Sequence, residues 1–257
     1  MFYIKINFTA ITKNKIINNM NIFEYFDLTQ IVNLPSRKDR RQETELEFKK
    51  YGFPINVKKS SFFKAISPTT PEGFSNCGVR GCFLSHMRII ENAVTSKLNN
   101  ILILEDDIYF SKNILKYDSI AIKELDNIDW DFAYFGHKLP TSTNENIWKE
   151  IDEPVFMTHF YAINGKILPQ FLEFLQNLLS RPPGHPQGGP MHYDGAINTF
   201  LKQNSNIKAY FFSKNLGYQR PSKTDLHETT IFDKYLILII FTLFFRKIKR
   251  FFLKITI

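Results

Sequence analysis

The 257-residue chain is 44% hydrophobic and 15% aromatic, enough apolar surface for a sizeable core, so wholesale disorder is excluded. Its 11 glycines and 12 prolines exclude collagen-like and mucin-like sequences, and the two cysteines, Cys77 and Cys82, exclude a disulfide scaffold. The net charge of +8 is carried by basic stretches at residues 1–22 and 246–257, and the neutral body between them argues against a nucleic-acid groove.

Residues 1–24 have neither the continuous apolar run nor the small-residue cleavage site of a signal peptide, and read as a loosely specified extension. From residue 25 to 230, short apolar strands alternate with helical patterns, the arrangement of an α/β domain with a mostly parallel sheet. Thr29–Leu34 reads as a strand, and Arg37–Tyr51 as a charged helix stopped by Gly52. Residues 54–66 read as strand and turn, and a helix is expected from Gly81 to Lys97. The unbroken run ILILE, Ile101–Glu105, reads as a strand buried on both faces. Further strands are expected at Asp131–Gly136, Phe156–Ile163 and Ile207–Phe212. Helices are expected at Lys166–Leu179 and Asp194–Gln203, on either side of the Pro/Gly-rich loop RPPGHPQGGP, residues 181–190.

Residues 231–257 form a tail of different character. YLILIIFTLFF, residues 235–245, would span about 16 Å as a helix, short of the roughly 20 residues needed to cross a bilayer. In the stretch that follows, Ile248, Phe251, Phe252 and Ile255 share one helical face, and Arg246, Lys247, Arg250 and Lys254 lie off it. This is the pattern of a helix lying on an anionic membrane surface, and it places the protein in the cytoplasm at the membrane periphery. A buried C-terminal element with a solvated basic end is the alternative.

No Walker loop, G-x-G-x-x-G, H-E-x-x-H, G-x-S-x-G or paired C-x-x-C occurs, so kinase, nicotinamide and zinc-hydrolase chemistry lose their usual signatures. The strongest positive signal is Glu105-Asp106-Asp107, directly after ILIL. Extended alternation puts Glu105 and Asp107 on one side and Asp106 on the other, beyond the carboxyl end of a strand where α/β sheets bind ligands. Two carboxylates about 4 Å apart repel by around 1–4 kcal/mol, and a hard divalent cation such as Mg²⁺ or Mn²⁺ removes that repulsion. A solvated acidic turn is the plainer reading of the same residues.

IVNLPSRKDRR, CGVRGCFLSHMRII and ILILEDDI, followed in order by DWDFAYFG, MTHFYAIN, HYDGAINTFL and LGYQRPSKTD, resemble glycosyltransferase family 25 over residues 28–226. That family includes bacterial lipooligosaccharide and collagen galactosyltransferases. Val79 departs from its pattern, standing where an acid is common. The resemblance implies a GT-A-type nucleotide-sugar-binding fold and a UDP-sugar donor, with Asn33, Leu34, Arg37 and Arg40 near the nucleotide. It also implies Gly81, Ser85, His86 and Asp106 around the donor, and Glu105 and Asp107 gripping Mn²⁺ or Mg²⁺, with His227 as a third ligand. Inverting transfer to a glycan acceptor needs a general base, for which Asp194 is the choice and Asp225 the alternate. Bland roles stand beside these: a solvated first helical turn for the arginines, a core position for His86 and an N-cap for Asp194. A lipid-linked acceptor suits an enzyme held at a membrane, and the runner-up is a non-catalytic membrane-surface protein that keeps the fold.

Overall fold

The computed structural model describes residues 20–55, 57–139 and 147–220. A seven-stranded sheet runs through them, built from β1 (Leu28–Asn33), β2 (Ser60–Lys64), β3 (Asn100–Glu105), β5 (Phe132–Tyr134), β6 (Trp148–Glu150), β7 (Phe160–Asn164) and β8 (Ala209–Phe212). The strand order is β2-β1-β3-β7-β5-β8-β6. Strand β1 pairs in parallel with β2 and β3, and β5 with β8, while β7 and β6 run antiparallel to their neighbours. Five of the seven strands therefore share one direction, as the α/β reading expects. A small ribbon, β4 (Ile108–Phe110) with β9 (Gly217–Gln219), closes over the end of β3.

Helices cover both faces because β3 is apolar on both. Ile101 and Ile103 point into a core shared with α3 (Cys77–Thr95), α5 (Leu168–Ser180) and α6 (Tyr193–Gln203). Leu102 and Leu104 point into a second core shared with α1 (Ile22–Tyr25), α2 (Lys38–Tyr51) and α4 (Ile114–Leu125). All four side chains are fully buried, and at roughly 1.5–3 kcal/mol each they make this strand the spine of the fold.

Several boundaries differ from expectation for identifiable reasons. The folded body begins before residue 25: Asn21 caps α1 by accepting from the backbone N–H of Phe23 and Glu24, and Glu24 accepts from the N–H of Asn21. Ile22 and Phe23 are thereby fixed in the second core, but a four-residue helix has no period to read. Helix α3 starts four residues earlier than expected, at Cys77, with Asn76 Oδ1 accepting from the Val79 N–H at 2.9 Å. Val79, the residue that departs from the family pattern, is 2% exposed and packs in the first core. Strands β5 and β7 are shorter than the apolar runs that announced them, and α4, β4, β6 and β9 were not anticipated. Among the described residues, no helix is long and apolar enough to cross a membrane. The tail at 231–257 lies outside the described residues.

Gly81 sits in the second turn of α3, where a Cβ would meet the Ile66 carbonyl oxygen at 2.5 Å and Pro68 Cδ at 3.1 Å. The glycine thus lets the loop after β2 lie against the helix. Helix propensity alone predicts that Gly81→Ala stabilises by about 1 kcal/mol. The close approach predicts the reverse: a loss of about 1–3 kcal/mol, read as a lowered midpoint in urea unfolding.

Candidate active site

The carboxyl ends of β2, β1 and β3 open onto a cavity of about 300 Å³. Its walls are Val32 near the end of β1 and Leu34 just after it, Ala65 to Pro68 after β2, one face of α3, and the acidic run at the end of β3. The neighbouring strand β7 is antiparallel to β3, so the cavity lies where the parallel order breaks, the usual place for a ligand in such a sheet.

Glu105 is the last residue of β3, and the chain turns at Asp106-Asp107 before β4. Simple alternation stops at that turn, so the expected split of Asp106 from the other two does not hold: all three acids border the cavity. Asp106 is 5% exposed and accepts from Asn33 Nδ2 at 2.7 Å and Arg40 Nη1 at 2.9 Å. Its backbone carbonyl accepts from Thr44 Oγ1 and from Arg220 Nη2. Asp106 is therefore an anchor. Glu105 accepts from Thr158 Oγ1 at 3.4 Å and Gln219 Nε2 at 3.2 Å. Asp107 lies 3.7 Å from Arg40 Nη1 through Oδ2, whereas its buried Oδ1 accepts no hydrogen bond. Burial, and then the neighbouring acids, push Glu105 well above the usual carboxylate range. Burial also raises Asp107, against the pull of Arg40 and Arg220.

Clustered carboxylate oxygens, one of them buried and unbonded, with three acids set against Arg40 and Arg220, are a chemically suitable set for a hard divalent cation. Glu105 and Asp107 are the residues that would hold it. The donor set thus fits the metal that the family resemblance implies.

The other expected residues divide sharply. Leu34 and Arg40 line the cavity. Asn33 faces inward, donating to Asp106 and to the Arg37 carbonyl at 3.2 Å. Arg37 is not in the cavity wall: it chelates Asp39 through Nε and Nη2 at 3.0 and 2.9 Å and holds that carboxyl down at about 2. Gly81 is helical and lies close against the Ile66 carbonyl, while Cys77 and Gly78 border the cavity. Ser85 also reaches the wall, but its hydroxyl accepts from the Ile66 N–H at 2.8 Å and donates to the Gly81 carbonyl at 2.6 Å. His86 occupies the third turn of α3 and is fully buried. Its ring stacks 4.3 Å from Tyr193, Nδ1 lies 2.8 Å from the Tyr161 hydroxyl, and burial pushes its pKa down to about 3. Asp194 is in the first turn of α6 and accepts from the Gly195 N–H at 2.8 Å; the capping position itself belongs to His192. The Asp194 carboxylate is near enough to raise Tyr134 and Cys82 electrostatically. Asp225 and His227 lie outside the described residues.

Sequence reasoning missed Thr158, Gln219, Arg220 and Cys82 as site residues. Gln219 and Arg220 fall in LGYQRPSKTD, the closing block already singled out, so the segment carried the signal although the individual side chains did not.

Residues 75–179 match the profile of glycosyltransferase family 25 (LPS biosynthesis protein). Human procollagen galactosyltransferase 2 is 31% identical over 218 residues, which cover 74% of this chain and 33% of the relative. A Bos taurus protein named probable inactive glycosyltransferase 25 family member 3 is 28% identical over 143 residues, covering 54% of this chain and 23% of its own length. The chain spans about a quarter to a third of the curated relatives it matches. A solved glycosyltransferase involved in the glycosylation of the major capsid of PBCV-1 superposes with a TM-score of 0.42 at 13% identity, covering 77% of this chain and 94% of that one. Residues 75–179, which hold α3, β3 and the acidic turn, are thus similar to glycosyltransferase family 25.

Proposed function

We propose that the chain is a glycosyltransferase that moves a hexose, galactose by family likeness, from a UDP-sugar to a glycan acceptor with inversion. The observation that carries this reading is the half-buried Glu105 beside the buried Asp107, with Asp107 Oδ1 unbonded, at a cavity beyond parallel strand ends. The apolar residues Val32, Leu34, Ile66 and Pro68 in the wall suit the face of a nucleoside base, and the acids of the same wall would hold the cation that meets a diphosphate. When bound, Mg²⁺ or Mn²⁺ supplies Lewis acidity that offsets charge on the departing diphosphate. Arg40 and Asn33 fix Asp106, and through it the turn that aims Asp107. Asp194 accepts the proton of the acceptor hydroxyl in this proposal, with Asp225 as the alternate base and His227 as a further ligand. The basic tail holds the protein at the cytoplasmic face of an anionic membrane, within reach of lipid-linked acceptors.

A non-catalytic protein that keeps this fold is the second reading, favoured only by Val79 in place of the common acid. The burial of Val79 in the first core makes that departure a packing substitution in this chain.

Three experiments test the proposal. Nucleotide release from a panel of UDP- and GDP-sugars should be strongest with one UDP-sugar and Mn²⁺, and Asp107→Asn should lower it by at least about 100-fold with the circular dichroism spectrum unchanged. Full activity in that variant would remove Asp107 from the metal site. In chelator, the melting temperature of Glu105→Gln relative to the parent should rise with pH. The parent carboxyl is raised in the fold, so the ionised unfolded state is favoured increasingly above the ordinary value of 4.5, whereas glutamine carries no such dependence. The gap should reach a few degrees, at roughly 2–4 °C per kcal/mol, and a flat difference between pH 5 and 8 would contradict the burial argument. Sedimentation with anionic vesicles should retain the full chain and lose a 1–230 truncation; equal, poor pelleting of both would refute the membrane reading.

A further inference from the structure

Cys82 and His86 are four residues apart on α3 and so share one face of the helix, opposite the end of β3. The Cys82 sulfur, one His86 ring nitrogen and one Glu105 carboxylate oxygen lie within 4.8 Å of one another. None of the contacts already described accounts for this convergence. Asp107 and the acidic turn do not require a thiol, and nothing in sugar transfer as proposed uses an imidazole that is fully buried.

The hydrogen bonds around His86 give the second observation. Its Nδ1 meets the Tyr161 hydroxyl at 2.8 Å, and Tyr161 donates onward to the Tyr193 hydroxyl at 3.0 Å. The Tyr161 oxygen therefore receives the Nδ1 proton, which leaves the lone pair on Nε2. That Nε2 is buried and has no hydrogen-bond partner. Burying an acceptor without a partner is unfavourable, so the arrangement makes sense if Nε2 has a ligand. A histidine whose other nitrogen donates to a fixed polar group is the usual form of a metal-bound imidazole.

We propose that Cys82 Sγ, His86 Nε2 and a Glu105 carboxylate oxygen form a site for a zinc-class divalent ion on the floor of the cavity, adjoining the magnesium- or manganese-type site of the acidic turn and sharing Glu105 with it. A thiolate, an imidazole and a carboxylate select a borderline-soft ion, and three protein ligands leave the fourth tetrahedral position open to water or to a ligand in the cavity. Binding releases the thiol proton to solvent. Cys82 and Glu105 both border the cavity, which gives the ion a way in. Glu105 also borders the hard site, so the two ions would meet at this residue. The inference does not depend on the transferase reading.

The test is spectroscopic. Full-length protein stripped with chelator is titrated with Co²⁺ in excess Mg²⁺, and the near-ultraviolet thiolate-to-cobalt charge-transfer band is followed. One equivalent should bind with the band present. Cys82→Ser should abolish the band, and Tyr161→Phe should weaken binding by roughly 10–100-fold through the lost support of Nδ1. Cys77→Ser, which removes the other cysteine of the cavity wall, should keep the band, and so should Asp107→Asn. Because Asp107→Asn tests the acidic pair and Cys82→Ser tests this site, the two readings fail separately. No band at one equivalent, a band that survives Cys82→Ser, or one lost equally in a folded Cys77→Ser would overturn the assignment. Circular dichroism of each variant establishes that it is folded before titration.

Discussion

Asp106 is where the architecture of the site is tied together. Its carboxylate is held by Asn33 from the end of β1 and by Arg40 from α2, and its carbonyl by Thr44 from α2 and Arg220 after β9. One residue therefore fixes two strands, a helix and the chain that returns beside the acidic turn. A buried ion pair of this kind contributes little net stability against an apolar substitute, but losing one partner strands a charge and is unfavourable by about 3–5 kcal/mol. Its value here is positional, because Glu105 and Asp107 take their places from a turn that Asp106 does not allow to move.

The turn in turn depends on β3, which has no solvent face. Ile101 and Ile103 serve one core, Leu102 and Leu104 the other, so the strand is clamped between two helical layers. Glu105 is then delivered to the cavity by the most constrained strand in the sheet. That rigidity makes it possible to keep three acids together: a mobile loop would relax their repulsion by spreading them. Arg40 compensates in part, and the rest appears as carboxyls raised by burial and by one another. A site poised in this way gains on meeting a cation, and this is the physical content of the metal reading.

The aromatic residues behind His86 in the first core have a comparable role. Tyr161 on β7 and Tyr193 on α6 form a buried pair that sets the orientation of His86, with Tyr193 stacked on the imidazole ring. The helix that carries His86 approaches the loop after β2 only because Gly81 has no side chain, and Ser85 secures that approach by bonding both segments. Gly81 and Ser85 thereby shape the wall that a ligand would meet.

What could be read without coordinates followed from patterns that are local in the chain. ILIL declared a strand buried on two faces, Gly52 stopped its helix, and the acids after β3 pointed to the ligand end of the sheet. The order of the blocks carried the family likeness, because short motifs can be read as strings. Tertiary structure alone decided which side chains the site possesses. Arg37 and Arg40 are three residues apart, yet one chelates Asp39 and the other reaches Asp106, 66 positions away. Thr158 and Gln219 become neighbours of Glu105 only when β7 and β9 are laid beside it. Alternation failed at Asp106 because a turn has no two-residue period, and α1 escaped notice because four residues cannot show a helical one. Sequence fixes what each segment prefers; which distant groups meet depends on the strand order, which no single segment contains.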